Sequence, residues 1–320
     1  MSRRTLWAWG RFLVPVLVLV VLVWRLGTGP FLDGVRTVDA QALAEAAGIA
    51  LLTTVCCAWR WKTVAGGLGV ELSMPAAVAA YYRSQFLNLT VPGGVVGDVH
   101  RGVSHGRDAR DVGRGLRAVA WERSAGQAVQ LVVTVAVLLV LPSPVHSAMP
   151  VVAIAGAVAA LVVVLVARRL PAGNRSVPAR VRAALSRDIR DALLSGGAWR
   201  GIALASALVV AGHAATFVIA ARTAGSTAPL SQMLPIALLA MVGMVLPSAA
   251  GWGPREGVTA WAFGAAGFGV QLGVTTAVVY GVMVFVACLP GAVVLVVAWF
   301  RRIRLPETTS SPLRETAVHA

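Results

Sequence analysis

The chain has 320 residues, of which 58% are hydrophobic and only 13% charged, and its mean hydropathy is +0.77. That balance excludes an aqueous globular surface and predicts an all-α polytopic membrane protein. The formal charge of +15 comes almost wholly from arginines in short segments between apolar runs. This distribution marks topology and contact with anionic headgroups, and argues against a nucleic-acid partner.

The first apolar run covers residues 6–26 behind Arg3, Arg4 and Arg11, which hold the N-terminus in the cytoplasm. No small-residue cleavage motif follows, so a retained helix is expected rather than a signal peptide. Gly27-Thr28-Gly29-Pro30 ends it, and a near-neutral outer loop with Asp33, Arg36 and Asp39 leads to a second span, 41–61, closed by a cytoplasmic cluster at Arg60 and Lys62. Residues 75–100 do not read as a simple span, because Pro75, Arg83, Asn88, Pro92-Gly93-Gly94 and Gly97-Asp98 interrupt them. The following segment carries Arg101, Arg107, Arg110, Arg114 and Arg117 against Asp108 and Asp111, an excess that belongs inside. With both flanks cytoplasmic, 75–100 must enter and leave on one side as a re-entrant element.

Spans at 118–141 and 150–167 follow. The segment 168–200 holds eight arginines and two aspartates. Its apolar residues recur at helical spacing, which predicts an interfacial helix at about 177–195 on the inner leaflet. Another span, 200–221, has His213 in its middle, where a packed, hydrogen-bonded histidine is the expectation. The last span, 272–299, ends inside at Arg301, Arg302 and Arg304. Parity then makes 232–269 either a hairpin dipping in from outside or two crossings. The expected architecture is a single integral membrane domain over 1–304, with about six full spans plus two re-entrant or broken hairpins, eight membrane segments in a conventional count. Both termini lie in the cytoplasm, and 305–320 form a disordered tail. Cys56, Cys57 and Cys288 lie in apolar runs without metal spacing and read as small hydrophobes.

The two interrupted segments are the candidate site. Pro92-Gly93-Gly94-Val95-Val96-Gly97-Asp98-Val99-His100-Arg101 and Pro247-Ser248-Ala249-Ala250-Gly251-Trp252-Gly253-Pro254-Arg255-Glu256 share a proline, small residues and an arginine eight or nine positions on. Charged residues at bilayer depth cost about 2.5–3.5 kcal/mol each, so they face a cavity or a partner. Paired Gly/Pro-interrupted segments of opposite entry point to an inverted-repeat transporter with its site near the midplane. Freed N–H groups beside an arginine bind anions, and Arg101 and Arg255 are candidate phosphate clamps. The plainer alternative has Pro and Gly kinking ordinary spans while Arg255 and Glu256 neutralise each other. Glu122-Arg123, opening the span at 118–141, reads as a site pair or as an interfacial charge pair.

At these residues the chain resembles the lysylphosphatidylglycerol synthase/flippase transmembrane-domain family over about 41–300. Asn88-x-x-x-Pro92-Gly93-x-x-x-Gly97-Asp98-x-x-Arg101, the Glu122-Arg123 pair and Pro247-Ser248-x-x-Gly251-x-Gly253-x-Arg255-Glu256 carry the likeness, and Pro254 departs from the aliphatic residue usual there. The resemblance implies movement of a lipid headgroup, anionic, aminoacylated or polyprenyl-linked, between leaflets of the cell membrane. It implies substrate contacts from Arg255, Glu256, Arg101, Asp98, Glu122, Arg123 and Asn88, and backbone roles for Pro92, Gly93, Gly97, Pro247, Gly251 and Gly253. Membrane lipids are thus the expected partners, with a cell-envelope synthesis enzyme as a further one. No segment is polar and long enough for a tRNA-binding synthase domain, and no cofactor, metal or nucleotide motif occurs, so an enzyme is not expected. A headgroup-modifying enzyme using Glu122 or Glu256 as base, and a non-transporting scaffold for a glycosyltransferase, are the alternatives.

Overall fold

The computed structural model describes residues 16–91, 93–169, 184–246 and 248–304. The described residues form helices without a β-strand. In chain order they are α1 (Val16–Leu26), α2 (Gly29–Thr37), α3 (Ala40–Gly67), α4 (Met74–Thr90), α5 (Val96–Asp108), α6 (Val112–Val140) and α7 (Met149–Arg169). After them come α8 (184–194), α9 (Ala198–Thr223), α10 (Leu230–Gly243), α11 (Pro254–Ala265), α12 (Val270–Ala287) and α13 (Leu289–Arg304).

Among the described residues, four stretches are long and apolar enough to cross a membrane: Ala40–Gly67, Val112–Val140, Ala184–Thr223 and Val270–Phe300. A fifth forms if α1 and α2, bent by 99° at their junction, are one broken span. The outer loop expected at 27–39 is therefore mostly helix. Pro30 starts α2 where its missing N–H has no cost, and Gly34 lets the helix lie directly on α12, since a Cβ there would stand 2.8 Å from the Val278 side chain. Valines and isoleucine of α7 at Val151, Val152 and Ile154 are exposed, as are Val293, Val296 and Val297 of α13. Water would not tolerate such faces, whereas lipid does.

The interior has two main apolar cores joined by α3. One gathers Cys57, Ala58, Trp61 and Ala65 of α3 with Tyr81 of α4 and Ala118 and Val119 of α6. The other gathers Ala42 and Ala46 of the same helix with Phe217 of α9, Ile236 of α10, Phe263 of α11 and Tyr280 of α12. α3 and α9 form the most extensive helix pair. Helices approach closely where glycines face each other: a Cβ on Gly115 of α6 would stand 2.4 Å from the Gly102 carbonyl of α5, beside Gly106. Van der Waals contact of this small-residue kind holds helices together in a bilayer, where burial from water supplies no attraction between them.

Both interrupted segments are helix, break and helix, with each pair packed back on itself: α4 against α5 and α10 against α11. The second limb of the first pair runs on to Asp108, and the arginine-rich stretch 101–117 is divided between the end of α5, a short turn at Arg110 and the start of α6. The described part of the expected interfacial helix, α8, winds as a π-turn over Ile189–Leu194 and ends at Gly196 and Gly197, both at positive φ; residues 170–183 and 305–320 lie outside the described residues. It docks rather than projects. Ala192 is buried against Val64 and Ile202, and Asp188 accepts from Trp121 Nε1 and Arg117 Nε, each at 3.1 Å.

Candidate functional site

The first break turns at Gly93 (φ 108°) and Gly94 (φ 69°), a region of backbone space open to glycine. α5 then begins so close to α4 that a Cβ on Gly97 would lie 2.0 Å from the Ser84 carbonyl oxygen. This contact brings Asn88 alongside the start of α5. Its Oδ1 accepts from the Gly97 N–H at 2.8 Å, filling one of the donors a helix start leaves open, and its Nδ2 donates to Asp98 Oδ2 at 3.0 Å.

From Asp98 an ionic and hydrogen-bonded network extends through five helices, α3, α4, α5, α6 and α9. Asp98 Oδ1 accepts from Ser84 Oγ at 3.0 Å and from Arg101 at 3.1 Å, while Arg123 pairs with both carboxylate oxygens at 2.7–2.8 Å. Arg101 also donates to Glu122 Oε2 at 3.0 Å. Glu122 Oε1 takes Arg60 Nε at 2.9 Å, the Tyr81 hydroxyl at 3.0 Å and a further nitrogen of Arg60. Arg60 continues to Ser206 of α9 at 2.9 Å. Its guanidinium fits against α6 because position 126 is glycine, where a Cβ would stand 2.8 Å from Nη1. Arg101 lies over the rings of Tyr81 at 4.1 Å and Trp61 at 4.5 Å, a cation–π arrangement that replaces part of the lost hydration.

The second break is a tight turn in which Ala249 and Trp252 exchange both backbone hydrogen bonds at 3.0 and 3.1 Å. Ala250 and Gly251 take positive φ of 52° and 81° in its centre, and Gly253 takes 113°. α11 follows with Pro254 in its first turn and Glu256 reaching back, its Oε2 accepting from the Gly253 N–H at 2.7 Å. This is half of a capping box, and it places the acidic group at the positive end of the helix. Glu256 Oε1 accepts from Arg255 Nε at 2.9 Å. Arg255 lies over the Tyr280 ring at 5.2 Å and the Trp252 ring at 5.5 Å, and Gly281 leaves room for it, since a Cβ there would be 2.6 Å from Nη2.

The two breaks touch. Gly93 N–H donates to the Ser248 carbonyl at 3.2 Å, and Gly251 lies against Leu89 so closely that a Cβ would meet its side chain at 2.8 Å. Both halves also repeat one constellation, an arginine paired with a glutamate and lying over a tryptophan and a tyrosine; its members come from distant positions in the first half, and in the second only the tyrosine does.

Among family models, the lysylphosphatidylglycerol synthase TM region matches residues 8–304. The chain belongs to this family. No curated protein matches it. Membership in the lysylphosphatidylglycerol synthase TM-region family, with the apolar helices, makes this a multi-pass membrane protein with a lipid-related role.

Of the residues expected to serve this family's site, Asn88, Asp98, Arg101, Glu122 and Arg123 come together in the first centre, and Arg255 and Glu256 form the second. Gly93, Gly97, Gly251 and Gly253 occupy the turns and close approaches; Pro92 and Pro247 lie outside the described residues. The expected clamps, Arg101 and Arg255, share no partner, and each is already held by carboxylate. Sequence reasoning missed Arg60, Tyr81, Ser84, Trp61 and Tyr280. Arg60 was expected in a cytoplasmic cluster with Lys62, yet it is 4% exposed and bonded to Glu122. Its flanking tryptophans within an apolar run were the available signal.

Proposed function

We propose that the protein is a lipid translocase, passing an anionic headgroup between leaflets along the junction of two re-entrant hairpins, α4–α5 and α10–α11, arranged as an inverted repeat. The observation that carries this reading is a charge imbalance in the first centre. Three guanidiniums, Arg60, Arg101 and Arg123, share two carboxylates, Asp98 and Glu122. The unpartnered buried atoms of these arginines and of Trp61 are donors: Nε and Nη1 of Arg101, Nε of Arg123 and Nε1 of Trp61. A buried donor left without an acceptor costs about 1–3 kcal/mol, and more when charged. A phosphodiester brings one negative charge and several acceptor oxygens, which is what the centre lacks.

Arg123 is the guanidinium best placed to meet it first, with a side chain 41% exposed. Asp98 and Asn88 hold the first turn, Arg101 and Arg255 lie behind it, and Glu122 and Glu256 keep the arginines in position. A headgroup-modifying enzyme is the weaker reading, because both glutamates are saturated with donors and neither is poised as a base.

The test uses purified protein in liposomes containing a fluorescent phosphatidylglycerol, with an external quencher reporting leaflet exchange. Exchange above that of protein-free vesicles is expected, slowed roughly tenfold or more by Arg123→Ala, about 1.4 kcal/mol of barrier. No exchange with phosphatidylglycerol, aminoacylated phosphatidylglycerol or polyprenyl phosphate overturns the reading.

A further inference from the structure

His213 lies in the second half of α9, a helix that packs on both α6 and α12 and so adjoins both arginine centres. Its Nδ1 is 3.1 Å from the Tyr280 hydroxyl, whose ring covers Arg255. Two turns earlier on the same face of α9, Ser206 accepts from Arg60 of the first centre at 2.9 Å. The residue is half-buried. The helices packed on α9 present few ionisable groups. α6 contributes Glu122 and Arg123, α3 contributes Cys57 and Arg60, and α12 contributes Tyr280 with Arg255 and Glu256 behind it. α10 has no titratable side chain, and Arg187, Asp188, Arg190 and Asp191 of α8 lie at the far end of α9. Among the described residues no carboxylate bonds to His213; the acidic groups nearby are already committed to arginines.

Resting on the reading that an anionic headgroup occupies these centres, we propose that His213 is the proton-binding residue that couples lipid movement to a proton. The physical reason is electrostatic. A neutral imidazole sits without penalty beside the surplus of guanidiniums in the first centre, whereas an imidazolium is disfavoured by burial and by that positive charge. A phosphodiester entering between the guanidiniums removes that repulsion, so the anion promotes protonation of His213, and by linkage the proton strengthens anion binding by the same factor. The Tyr280 hydroxyl serves both forms, donating to a bare Nδ1 or accepting from Nδ1–H. The proton is taken from water on the loading side as the headgroup arrives and is returned to water on the release side as it leaves. One positive charge then accompanies one negative charge, and a phosphodiester headgroup passes without net charge movement through the site.

The experiment is calorimetric titration of the purified full-length protein with dihexanoyl phosphatidylglycerol, near pH 6.5, in two buffers of different ionisation heat. The dependence of the heat on buffer gives the protons bound per lipid. Wild type is expected to bind lipid with uptake of about half a proton, the share taken up near pH 6.5 by an imidazole that passes from neutral to its ordinary titration range. His213→Gln should bind lipid with no uptake, and Tyr280→Phe, which keeps the imidazole, should retain uptake. Lipid binding without proton uptake, or undiminished uptake in His213→Gln, overturns the coupling while leaving the translocase reading intact. Absence of lipid binding by wild type overturns both. Should His213→Gln not fold, His213→Asn takes its place in the same titration, and undiminished uptake there rejects the role of His213.

Discussion

Glu122 holds the first centre together, since it is fully buried and receives Arg60, Tyr81 and Arg101 from three other helices. Its substitution by glutamine should leave three guanidiniums around one carboxylate. Removing one partner from a buried ion pair costs about 3–5 kcal/mol, so Glu122→Gln is expected to lower the unfolding temperature in detergent sharply. Tyr81→Phe should cost less, about 1.5–3 kcal/mol, the worth of one hydrogen bond to a charged group. Equal stability of Glu122→Gln and wild type would show that the network is not what holds these helices. The motif residues Asn88, Asp98, Arg101 and Glu122-Arg123 were legible in the chain because they are polar where an apolar run was due. Arg60 and Tyr81 were not, because they reach Glu122 across 62 and 41 positions, and no local pattern encodes such a meeting.

Among the elements, α5 depends on glycine more than on side-chain interlocking. Gly97 meets Ser84 of α4, and Gly102 and Gly106 meet Gly115 of α6. Gly97→Ala would place its Cβ 2.0 Å from a backbone oxygen that cannot rotate away, so α5 must shift along α4 and carry Asp98 and Arg101 with it. Overpacking of this kind costs about 1–3 kcal/mol, and the expected result is a folded protein with lipid exchange lost. In contrast, a Cβ on Gly48 meets nothing within 4 Å, and Gly48→Ala, in the interior of α3, should raise stability slightly, by about 0.5–1 kcal/mol, and leave exchange unchanged in the same assays. The breaks themselves were readable from Pro-Gly spacing. The helix at 29–37 was not, because its residues form an independent loop-like sequence and become helical against α12.

For the whole molecule, the arrangement proposed above predicts opposite membrane sides for the α5–α6 turn and the α9–α10 turn. With Cys56, Cys57 and Cys288 replaced, a single cysteine at Asp108 should react with an impermeant maleimide only from the cytoplasmic side, and one at Thr227 only from outside; both positions are exposed. Labelling of both from one side would reject the inverted repeat. Hydropathy along the chain established that it is a multi-pass membrane protein, and Pro-Gly spacing established the interruptions near Pro92 and Pro247, because hydropathy and backbone breakage are local properties of a sequence. Only the tertiary structure decided that the two interruptions touch, at Gly93 and Ser248, that Arg101 meets Trp61 and Tyr81 of two other helices, and that Arg255 meets Tyr280 of α12. Those contacts depend on how closely glycine-faced helices approach, a property of pairs of helices that neither carries by itself.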